Sequence, residues 1–190
     1  RDSKQITKAL SVCGDVNKNR MDMSNILRAL CADVIAESGN PSGGLKELQN
    51  MLKGSKGDLE VYHYIFQIYQ RQKKYKKAEE KLYEARKFFS KRESFYFMLG
   101  ALQERQKKYQ KAARTFKKVI NLNPKHASAL NYLGYMWADR GVRLNESLGL
   151  VKRAVAIAPN NGAFLDSLGW VYFKLGKIEQ AEAYLVEALG

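Results

Sequence analysis

The chain has 190 residues, and its 33 Lys and Arg against 19 Asp and Glu give a formal net charge of +14. Hydrophobic residues make up 45% and charged residues 27%, which are ordinary globular values and exclude a disordered chain. The length of 190 residues fits one domain or one repeat array, and no apolar run approaches the roughly 18 residues that a membrane-spanning helix needs.

The excess charge is local. The net charge is +2 over residues 1–58, +12 over 59–126 and zero over 127–190. We therefore expect that any function of the positive charge belongs to the middle third of the chain.

The N-terminal segment predicts a helix followed by a connection. Ile6, Leu10 and Cys13 lie on one helical face of residues 4–13, so we expect the last helix of a preceding repeat there. Asp15–Asp22 is the predicted connection. Because the chain begins at Arg1 and ends inside an apolar pattern, we expect a fragment of a longer protein, and the missing signal peptide is no evidence of a cytosolic location.

The two cysteines carry little information. Cys13 and Cys31 lie 18 residues apart, a spacing that matches neither a CxxC redox motif nor a zinc site. Two cysteines can pair, but spacing does not give their geometry. We favour the interpretation that both are small buried hydrophobic residues.

The rest of the chain repeats with a period of 34 residues. Three positions recur at this spacing: Tyr75 and Tyr109, Ala78 and Ala112, and Leu82 and Phe116. The pair Leu99–Gly100 recurs as Leu133–Gly134 and, after one extra residue, as Leu168–Gly169. The predicted copies are 59–92, 93–126, 127–161 and 162–190, with the extra residue in 140–145.

Each copy predicts two amphipathic helices, because apolar residues recur at i, i+3 and i+7. Gly100, Gly134 and Gly169 would let the paired helices approach closely, and Ala78, Ala112 and Ala181 would do the same from the second helix. Pro124 and Pro159 end helices. The predicted helices are 63–70, 75–88, 94–106, 110–121, 128–139, 146–157, 163–175 and 179–189.

The repeated residues resemble the tetratricopeptide repeat (TPR), whose pattern is W-x2-L-G-x2-Y, then A-x3-F, then P. The matching positions hold Tyr62, Ile65, Phe66 and Tyr69; Tyr96, Leu99 and Gly100; Leu130, Leu133, Gly134 and Trp137; and Leu165, Leu168, Gly169 and Tyr172. Ser147 stands at one Ala position and Ser90 at one Pro position. The resemblance implies an all-α fold: a right-handed superhelical solenoid of antiparallel helix pairs, stacked because one pair has too little core alone.

Residues 25–58 fit the same register poorly and are interpreted as a degenerate copy. Cys31–Ala32 occupies the Leu–Gly position and Gly44 the Ala position, with Gly39–Gly44 (GNPSGG) as the predicted turn between helices. The predicted organisation is an N-terminal helix or half repeat in 1–24, the degenerate copy in 25–58, and the copies 59–92, 93–126, 127–161 and 162–190, the last truncated.

No catalytic or cofactor site is predicted. The chain has two His: His126 is interpreted as a solvated turn residue, and His63 as a polar residue lining the groove, because no second His or Cys shares its face at metal-ligand spacing. No GxSxG, HExxH or GxxxxGK[ST] motif occurs. The glycines of GNPSGG and of Lys53–Gly57 (KGSKG) follow no strand and are interpreted as turns.

The resemblance implies a concave groove lined by the first helices of the copies. The predicted partner-binding residues are His63, Tyr64, Gln67, Phe97, Met98, Asn131, Tyr132, Tyr135, Asp166, Trp170 and Phe173. The aromatic members are typical interface anchors, although aromatic residues also pack in cores. The positions that grip a chaperone-tail carboxylate in one TPR subclass hold His63, Gln67, Met98, Ser128 and Tyr132 here, so that function is rejected.

Lysines flank the predicted turns between paired helices. The predicted basic surface comprises Lys73, Lys74, Lys76, Lys77, Lys107, Lys108 and Lys111, as part of a basic edge in 71–125. A solvated face that favours solubility is the commoner explanation. The functional alternative is a dock for an acidic protein, an anionic surface or nucleic acid.

The favoured function is a non-catalytic scaffold that binds a protein or peptide in the groove, with the basic edge as a second contact surface. The alternative is binding of nucleic acid or an anionic surface. Sequence-reading RNA repeats use a fixed inward position, and here that position holds His63, Phe97, Asn131 and Asp166, which is no code and disfavours RNA recognition.

Two further expectations concern the C-terminus and the origin of the chain. The apolar strip in 178–189 predicts either a continuing chain or self-association through the last helix. The segment Asn131–Leu185 is similar to TPR proteins of bacteria, some of them exported or lipid-anchored, which favours a periplasmic or membrane-attached location over the cytoplasm.

Overall fold

A computed structural model of the chain describes residues 3–18, 24–54 and 58–190, and every regular element in these ranges is an α-helix. The helices are α1 (Ser3–Lys18), α2 (Asn25–Glu37), α3 (Pro41–Gly54), α4 (Leu59–Arg71), α5 (Tyr75–Phe89), α6 (Glu93–Arg105), α7 (Tyr109–Leu122), α8 (Ala127–Asp139), α9 (Leu144–Ile157), α10 (Gly162–Lys174) and α11 (Ile178–Leu189). None of these helices is both long and apolar enough to cross a membrane.

The helices form two compact units, Arg1–Ser90 and Lys91–Gly190. In the first unit, α1 packs on α2, α2 pairs with α3, both contact α4, and α4 pairs with α5. In the second unit the pairs are α6–α7, α8–α9 and α10–α11; α8 contacts both α6 and α7, and α10 contacts both α8 and α9. Each pair therefore stacks on the next within its unit, and the predicted all-α class of stacked helix pairs is confirmed.

The predicted helix bounds agree with the structure to within two residues, with one exception. Helix α4 begins at Leu59 rather than at residue 63, because Asp58 caps it: Oδ1 of Asp58 accepts a hydrogen bond from the Glu60 N–H at 3.0 Å. An Asp side chain at this position satisfies an N–H that lacks a partner within the helix.

The predicted turns near the N-terminus need correction. Helix α1 extends to Lys18, so the first half of the predicted Asp15–Asp22 connection is helical and the remainder lies outside the described residues. The GNPSGG segment is mostly helical, since α3 begins at Pro41, where the fixed φ of proline suits a first helical position. Oδ1 of Asn40 accepts from the Gly43 N–H at 2.9 Å. In KGSKG, Lys53 and Gly54 end α3, and residues 55–57 lie outside the described residues.

The cysteines are buried as predicted, but they are also paired, which corrects the interpretation of two unlinked hydrophobic residues. Cys13 on α1 and Cys31 on α2 form a disulfide with a Cα–Cα distance of 5.5 Å. They pack with Val34 and with Ala9 and Leu10. The packing of α1 on α2 brings the two side chains together. Their separation along the sequence does not reveal the distance between them in the fold.

The glycines predicted to allow close helix approach do so. A Cβ on Gly134 of α8 would lie 2.6 Å from Cγ2 of Val151 on α9, and a Cβ on Gly100 or Gly169 would lie within 3.0 Å of the paired helix's side chains. The Ser147 hydroxyl donates to the Gly134 carbonyl oxygen at 2.6 Å, so serine at the usual alanine position adds a buried hydrogen bond across the pair.

Each turn inside the pairs of the repeats 59–190 has a left-handed residue at its second position, with φ of 56° at Lys73, 59° at Lys107, 66° at Gly141 and 74° at Gly176. The α8–α9 turn has a second left-handed residue, Arg143, with φ of 50°. The turn between α8 and α9 has four residues, 140–143, against three in the others, which confirms the predicted place of the extra residue. A left-handed backbone costs a non-glycine residue about 1–2 kcal/mol, so Lys73 and Lys107 hold strained positions.

Gly134→Ala should destabilise the protein, because the added Cβ would collide with Val151 and overpacking costs about 1–3 kcal/mol. Gly149 provides a matched control. It lies in the neighbouring helix α9, and a Cβ added there would meet no described atom within 4 Å, so Gly149→Ala should stabilise by about 0.5–1 kcal/mol. Thermal and denaturant unfolding would measure the free energy of unfolding of both variants. A Gly134→Ala variant at least as stable as the unsubstituted protein would contradict close packing at Gly134.

Lys107→Gly should stabilise the protein by about 0.5–1 kcal/mol, because relief of the left-handed strain exceeds the entropy cost of glycine. Lys111→Gly is the matched control, since Lys111 lies in helix α7, where glycine costs about 1 kcal/mol. Chemical denaturation would measure both. Destabilisation by Lys107→Gly as large as that of the control would show that the turn carries no strain.

Removal of the disulfide by Cys13→Ser with Cys31→Ser should lower the free energy of unfolding of the first unit by about 3 kcal/mol. The bond joins residues that are 18 positions apart, and the loop that it closes restricts the freedom of the unfolded chain. The thermal midpoint should fall, and trypsin should cleave α1 before the other helices. A reducing agent should reproduce the effect in the unsubstituted protein and add nothing to the variant. A protein insensitive to reduction would contradict a structural role for the bond.

Candidate functional site

The first helices of the second unit, α6, α8 and α10, line a cavity of about 350 Å³. Five residues of α8 line it. Three of them, Asn131, Tyr135 and Asp139, are spaced at i, i+4 and i+8 and therefore share one helical face. The lining residues are Glu104, Arg105, Tyr109, Asn131, Tyr132, Tyr135, Met136, Asp139, Arg140, Ala163, Asp166 and Ser167. Four of the predicted groove residues, Asn131, Tyr132, Tyr135 and Asp166, thus come together.

Acidic side chains surround Tyr135 in this cavity. Burial raises the pKa of the Tyr135 phenol above its ordinary value of 10.0, and the carboxylates of Asp139, Asp166 and Glu104 raise that pKa further. The three acids come from three helices. These three acids share the lining of the cavity with two basic residues, Arg105 and Arg140.

Two of these acids are available to a ligand. The Glu104 carboxylate lies 3.7 Å from Nε of Arg105 and so has an ion-pair partner. The guanidinium of Arg140 lies over the Tyr109 ring, 4.2 Å from the ring centroid. Asp139 and Asp166 make no ion pair with any residue in the described part of the chain. Both are exposed at the surface of the cavity.

Asn131 is a mostly enclosed member of the cavity wall. The residue is 8% exposed, and its Oδ1 has no hydrogen-bond partner among the described residues. Leaving a buried acceptor unpaired costs about 1–3 kcal/mol. Because the Oδ1 atom is itself buried, a ligand in the cavity would not reach it in this structure.

An aromatic cluster lies beside the cavity on α6 and α8. The ring of Phe97 is 5.3 Å from that of Tyr132 and 5.0 Å from that of His126, and Tyr132 is 37% exposed. His126 is not the solvated turn residue that we predicted. It caps α8, because its Nδ1 accepts from the Ala129 N–H at 3.2 Å, and its ring is held against Phe97.

A second aromatic pair lies on α10. Trp170 and Phe173 stack with ring centroids 5.4 Å apart, and the ammonium of Lys174 lies 5.1 Å from the Trp170 ring. Phe173 is 50% exposed, whereas Nε1 of Trp170 is buried without an acceptor among the described residues. Phe173 is therefore the accessible member of the pair.

Met98 does not fit the predicted groove. It is 2% exposed, so its side chain belongs to the core of the second unit and cannot touch a partner in this structure. The repeat register placed Met98 on the inward face, but an unbranched apolar side chain readily fills a gap in the packing instead.

The remaining predicted groove residues, His63, Tyr64 and Gln67, lie on α4 in the first unit and are half-buried. Gln67 Nε2 and His63 Nε2 are hydrogen-bonded at 2.6 Å, and the His63 and Tyr64 rings are 5.9 Å apart. Side-chain pairing at i, i+4 accounts for the position of His63.

The sequence pattern missed an ion pair that joins α2 to α4. The guanidinium of Arg71 on α4 pairs with the carboxylate of Asp33 on α2. A second nitrogen of Arg71, Nη1, lies 3.5 Å from Oε1 of Glu37. The Asp33 side chain is 4% exposed, so removing Arg71 would leave a buried charge without compensation. The separation of 38 residues places the partners one repeat apart, which single-helix patterns do not detect.

The seven predicted basic-surface lysines are all exposed. Lys73, Lys74, Lys76 and Lys77 lie at the α4–α5 turn, and Lys107, Lys108 and Lys111 at the α6–α7 turn. Lys118, elsewhere in this segment, lies 3.8 Å from the centroid of the Tyr96 ring. A continuous basic edge over 71–125 stays a prediction.

Among the described residues, no group of three or more His, Cys, Asp or Glu has an arrangement that would hold a metal ion.

Comparisons with known proteins identify the repeats. Two family models, both described as Tetratricopeptide repeat, match residues 97–162 and 164–190. A TPR repeat-containing protein of Pseudomonas aeruginosa is 34% identical over 113 residues, which is 60% of this chain and 19% of the relative. The chain therefore spans about a fifth of the length of that curated relative.

Solved structures share the fold at low sequence identity. A crystal structure of MamA has a TM-score of 0.65 at 20% identity, covering 89% of this chain and 95% of that one. MamA of Desulfovibrio magneticus RS-1 gives 0.66 at 18% identity, covering 88% and 96%. YrrB, described as "a TPR protein with an unusual peptide-binding site", gives 0.58 at 18% identity, covering 95% and 92%. Residues 97–162 and 164–190 thus form tetratricopeptide repeats, and a curated relative of the chain is a bacterial protein.

Proposed function

We propose that this protein is an interaction scaffold that binds an extended segment of a partner protein on the face formed by α6, α8 and α10. The observation that carries the proposal is the cavity of about 350 Å³ on these helices, together with the exposed aromatic side chains of Tyr132 in its wall and Phe173 on α10. A concave site with a few polar groups and aromatic walls is the usual form of a ligand site.

Three aromatic residues of the second unit are exposed on these helices. Tyr132, Tyr135 and Phe173 are 37%, 40% and 50% exposed. Ring contacts hold Phe97 against Tyr132 and Trp170 against Phe173, so these side chains lose little conformational freedom on binding. Large aromatic side chains commonly supply much of the binding energy at interfaces.

The fold supports the same proposal. Stacked helix pairs present their first helices side by side, which gives a repeat protein an extended surface for recognition. YrrB, whose description names a peptide-binding site, has the same fold. The proposal for this chain rests on its own cavity and aromatic residues, since the likeness to YrrB concerns the fold.

The exposed lysines of each unit are proposed as further contact surfaces for an acidic partner. The exposure of the four lysines at the α4–α5 turn of the first unit, and separately of the three at the α6–α7 turn of the second, supports it. The alternative, nucleic-acid or anionic-surface binding through these lysines, would show affinity that falls steeply with salt and is insensitive to substitutions in the groove.

Selection from a library of random peptides displayed on phage tests the groove. The unsubstituted protein should retain peptides that the double variant Tyr132→Ser with Phe173→Ser loses, with affinity lower by at least about tenfold, because truncating an aromatic anchor commonly costs more than 1 kcal/mol. The matched control is Tyr83→Ser with Phe88→Ser, since these residues are 61% and 50% exposed on α5 and lie outside the groove.

The control variant should bind the selected peptides as well as the unsubstituted protein does, and circular dichroism should show that both variants remain folded. Peptide binding that survives the groove substitutions, or a selection that yields no peptide dependent on the groove, would overturn the proposed function.

A further inference from the structure

The second unit has another groove, whose walls are the second helices α7 and α9. We propose that this α7–α9 groove binds an acidic segment of a partner protein, which inserts one bulky apolar side chain between Ile120 and Leu150 and places carboxylates against Lys117 and Arg153. No residue lines both this groove and the cavity on α6, α8 and α10. The α7–α9 groove is therefore a second docking surface, which goes beyond the proposed function.

The α7–α9 groove arises from the stacking of the helix pairs. Helices α7 and α9 both pack on α8, but they have no Cα atoms within 8 Å of each other in this part of the chain, all of which the structure describes. A cavity of about 490 Å³ lies between them. Leu133 and Trp137 of α8 form its floor, and residues of α7 and α9 form its two walls.

The interior of the α7–α9 groove is apolar. Leu133 and Trp137 are buried in its floor, so the apolar surface that a ligand can reach comes from the half-buried Ile120 on α7 and Leu150 on α9. Gly149 lies beside Leu150 and lines the groove, and a Cβ added there would meet no described atom within 4 Å. The missing side chain leaves room for an apolar group of a ligand, whose burial against Ile120 and Leu150 is favourable.

The rim of the α7–α9 groove is positively charged. Helices α7 and α9 together carry six basic residues and one acidic residue. Exposed Lys117 and Arg153 line the groove, and neither makes an ion pair with any residue of the described ranges. The acidic residue, Glu146, also lines the groove, but Nη1 of Arg143 donates to both of its carboxylate oxygens, at 2.9 and 3.1 Å. The uncompensated charge of the rim is therefore positive and complementary to carboxylates.

Neutral partners hold the two rim cations in place. Nζ of Lys117 lies 5.3 Å from the centroid of the Trp137 ring, and Nη2 of Arg153 donates to the Pro124 carbonyl oxygen at 3.1 Å. These contacts restrict the long side chains without cancelling their charge. Less conformational freedom is then lost when a carboxylate binds, which favours association.

The distribution of charge favours a segment with several carboxylates over a ligand with one. The basic residues are spread along both helices: Lys111, Arg114, Lys117 and Lys118 on α7, and Lys152 and Arg153 on α9. A single carboxylate, as on a fatty acid, would use the attraction of only the nearest of them. Acidic residues on both sides of an apolar anchor would use the charge of both walls.

Random peptides displayed on phage test this proposal when they are selected on the variant Tyr132→Ser with Phe173→Ser, which lacks the aromatic residues of the proposed peptide site. We expect retained peptides in which Asp or Glu flanks a bulky apolar residue. Gly149→Leu should weaken their binding by at least about tenfold in fluorescence anisotropy, because the added side chain occupies the place of the anchor. Ala183→Leu, at an exposed position of α11, is the matched control and should leave affinity unchanged.

A second pair of variants tests the charge of the rim. Lys117→Gln with Arg153→Gln should weaken binding by at least about tenfold. Lys91→Gln with Lys177→Gln removes the same charge from exposed positions of the second unit outside the groove and should have a much smaller effect. Neutral replacements of the peptide's acidic residues should weaken binding to the unsubstituted rim but add little to the rim variant, as expected for direct contact in a double-mutant cycle. Circular dichroism should show that all variants remain folded.

Several outcomes would overturn the proposal: a selection without Gly149-dependent peptides, peptides that lack acidic residues, or binding that the rim variant leaves intact. Gly149-dependent binding of palmitate, or Gly149-dependent self-association in light scattering, in place of peptide binding would assign the α7–α9 groove to a different occupant and overturn it as well. None of these results bears on the proposed function, because the selection uses a variant without Tyr132 and Phe173. Failure of the proposed function in its own selection would equally leave this result standing.

Discussion

The close approach of the two helices in each pair is the constraint on which the rest of this structure depends. Gly100, Gly134 and Gly169 stand where a single added carbon would meet the paired helix within 3.0 Å, and the buried residues Ala112, Ser147 and Ala181 face them from the second helices. With this spacing, each pair is thin enough for the next to stack on it. Larger residues at these positions would separate the pairs, and the alignment of the first helices would be lost.

That alignment builds the candidate site. Because α6, α8 and α10 lie in contact as neighbours within one unit, side chains at helical spacing on each form a shared wall. Asn131, Tyr135 and Asp139 follow one face of α8, and residues of α6 and α10 complete the cavity. The aromatic residues beside it are held by ring contacts with their neighbours rather than by the helix alone.

Charge is divided between two kinds of position in this protein. Exposed lysines occupy the α4–α5 and α6–α7 turns, and two of them, Lys73 and Lys107, even hold left-handed positions that glycine takes in the later repeats. Three acidic residues instead meet in the cavity of the second unit, together with Arg105 and Arg140, and there burial and then the three carboxylates raise the pKa of Tyr135. A net charge of +14 therefore does not describe the lining of this cavity.

The sequence by itself determined the repeat period, the all-α class, the helix bounds and the close-packing glycines, because these follow from local periodicity and from residue size. It also predicted Tyr132, Tyr135, Asp166 and Phe173 as groove residues through the repeat register, and all four are exposed in the structure. Tertiary structure alone decided the Cys13–Cys31 bond, the Asp33–Arg71 ion pair, the burial of Met98 and the meeting of three acids around Tyr135. Each of these depends on distances between side chains of different helices, and a pattern along one helix contains no information about such distances.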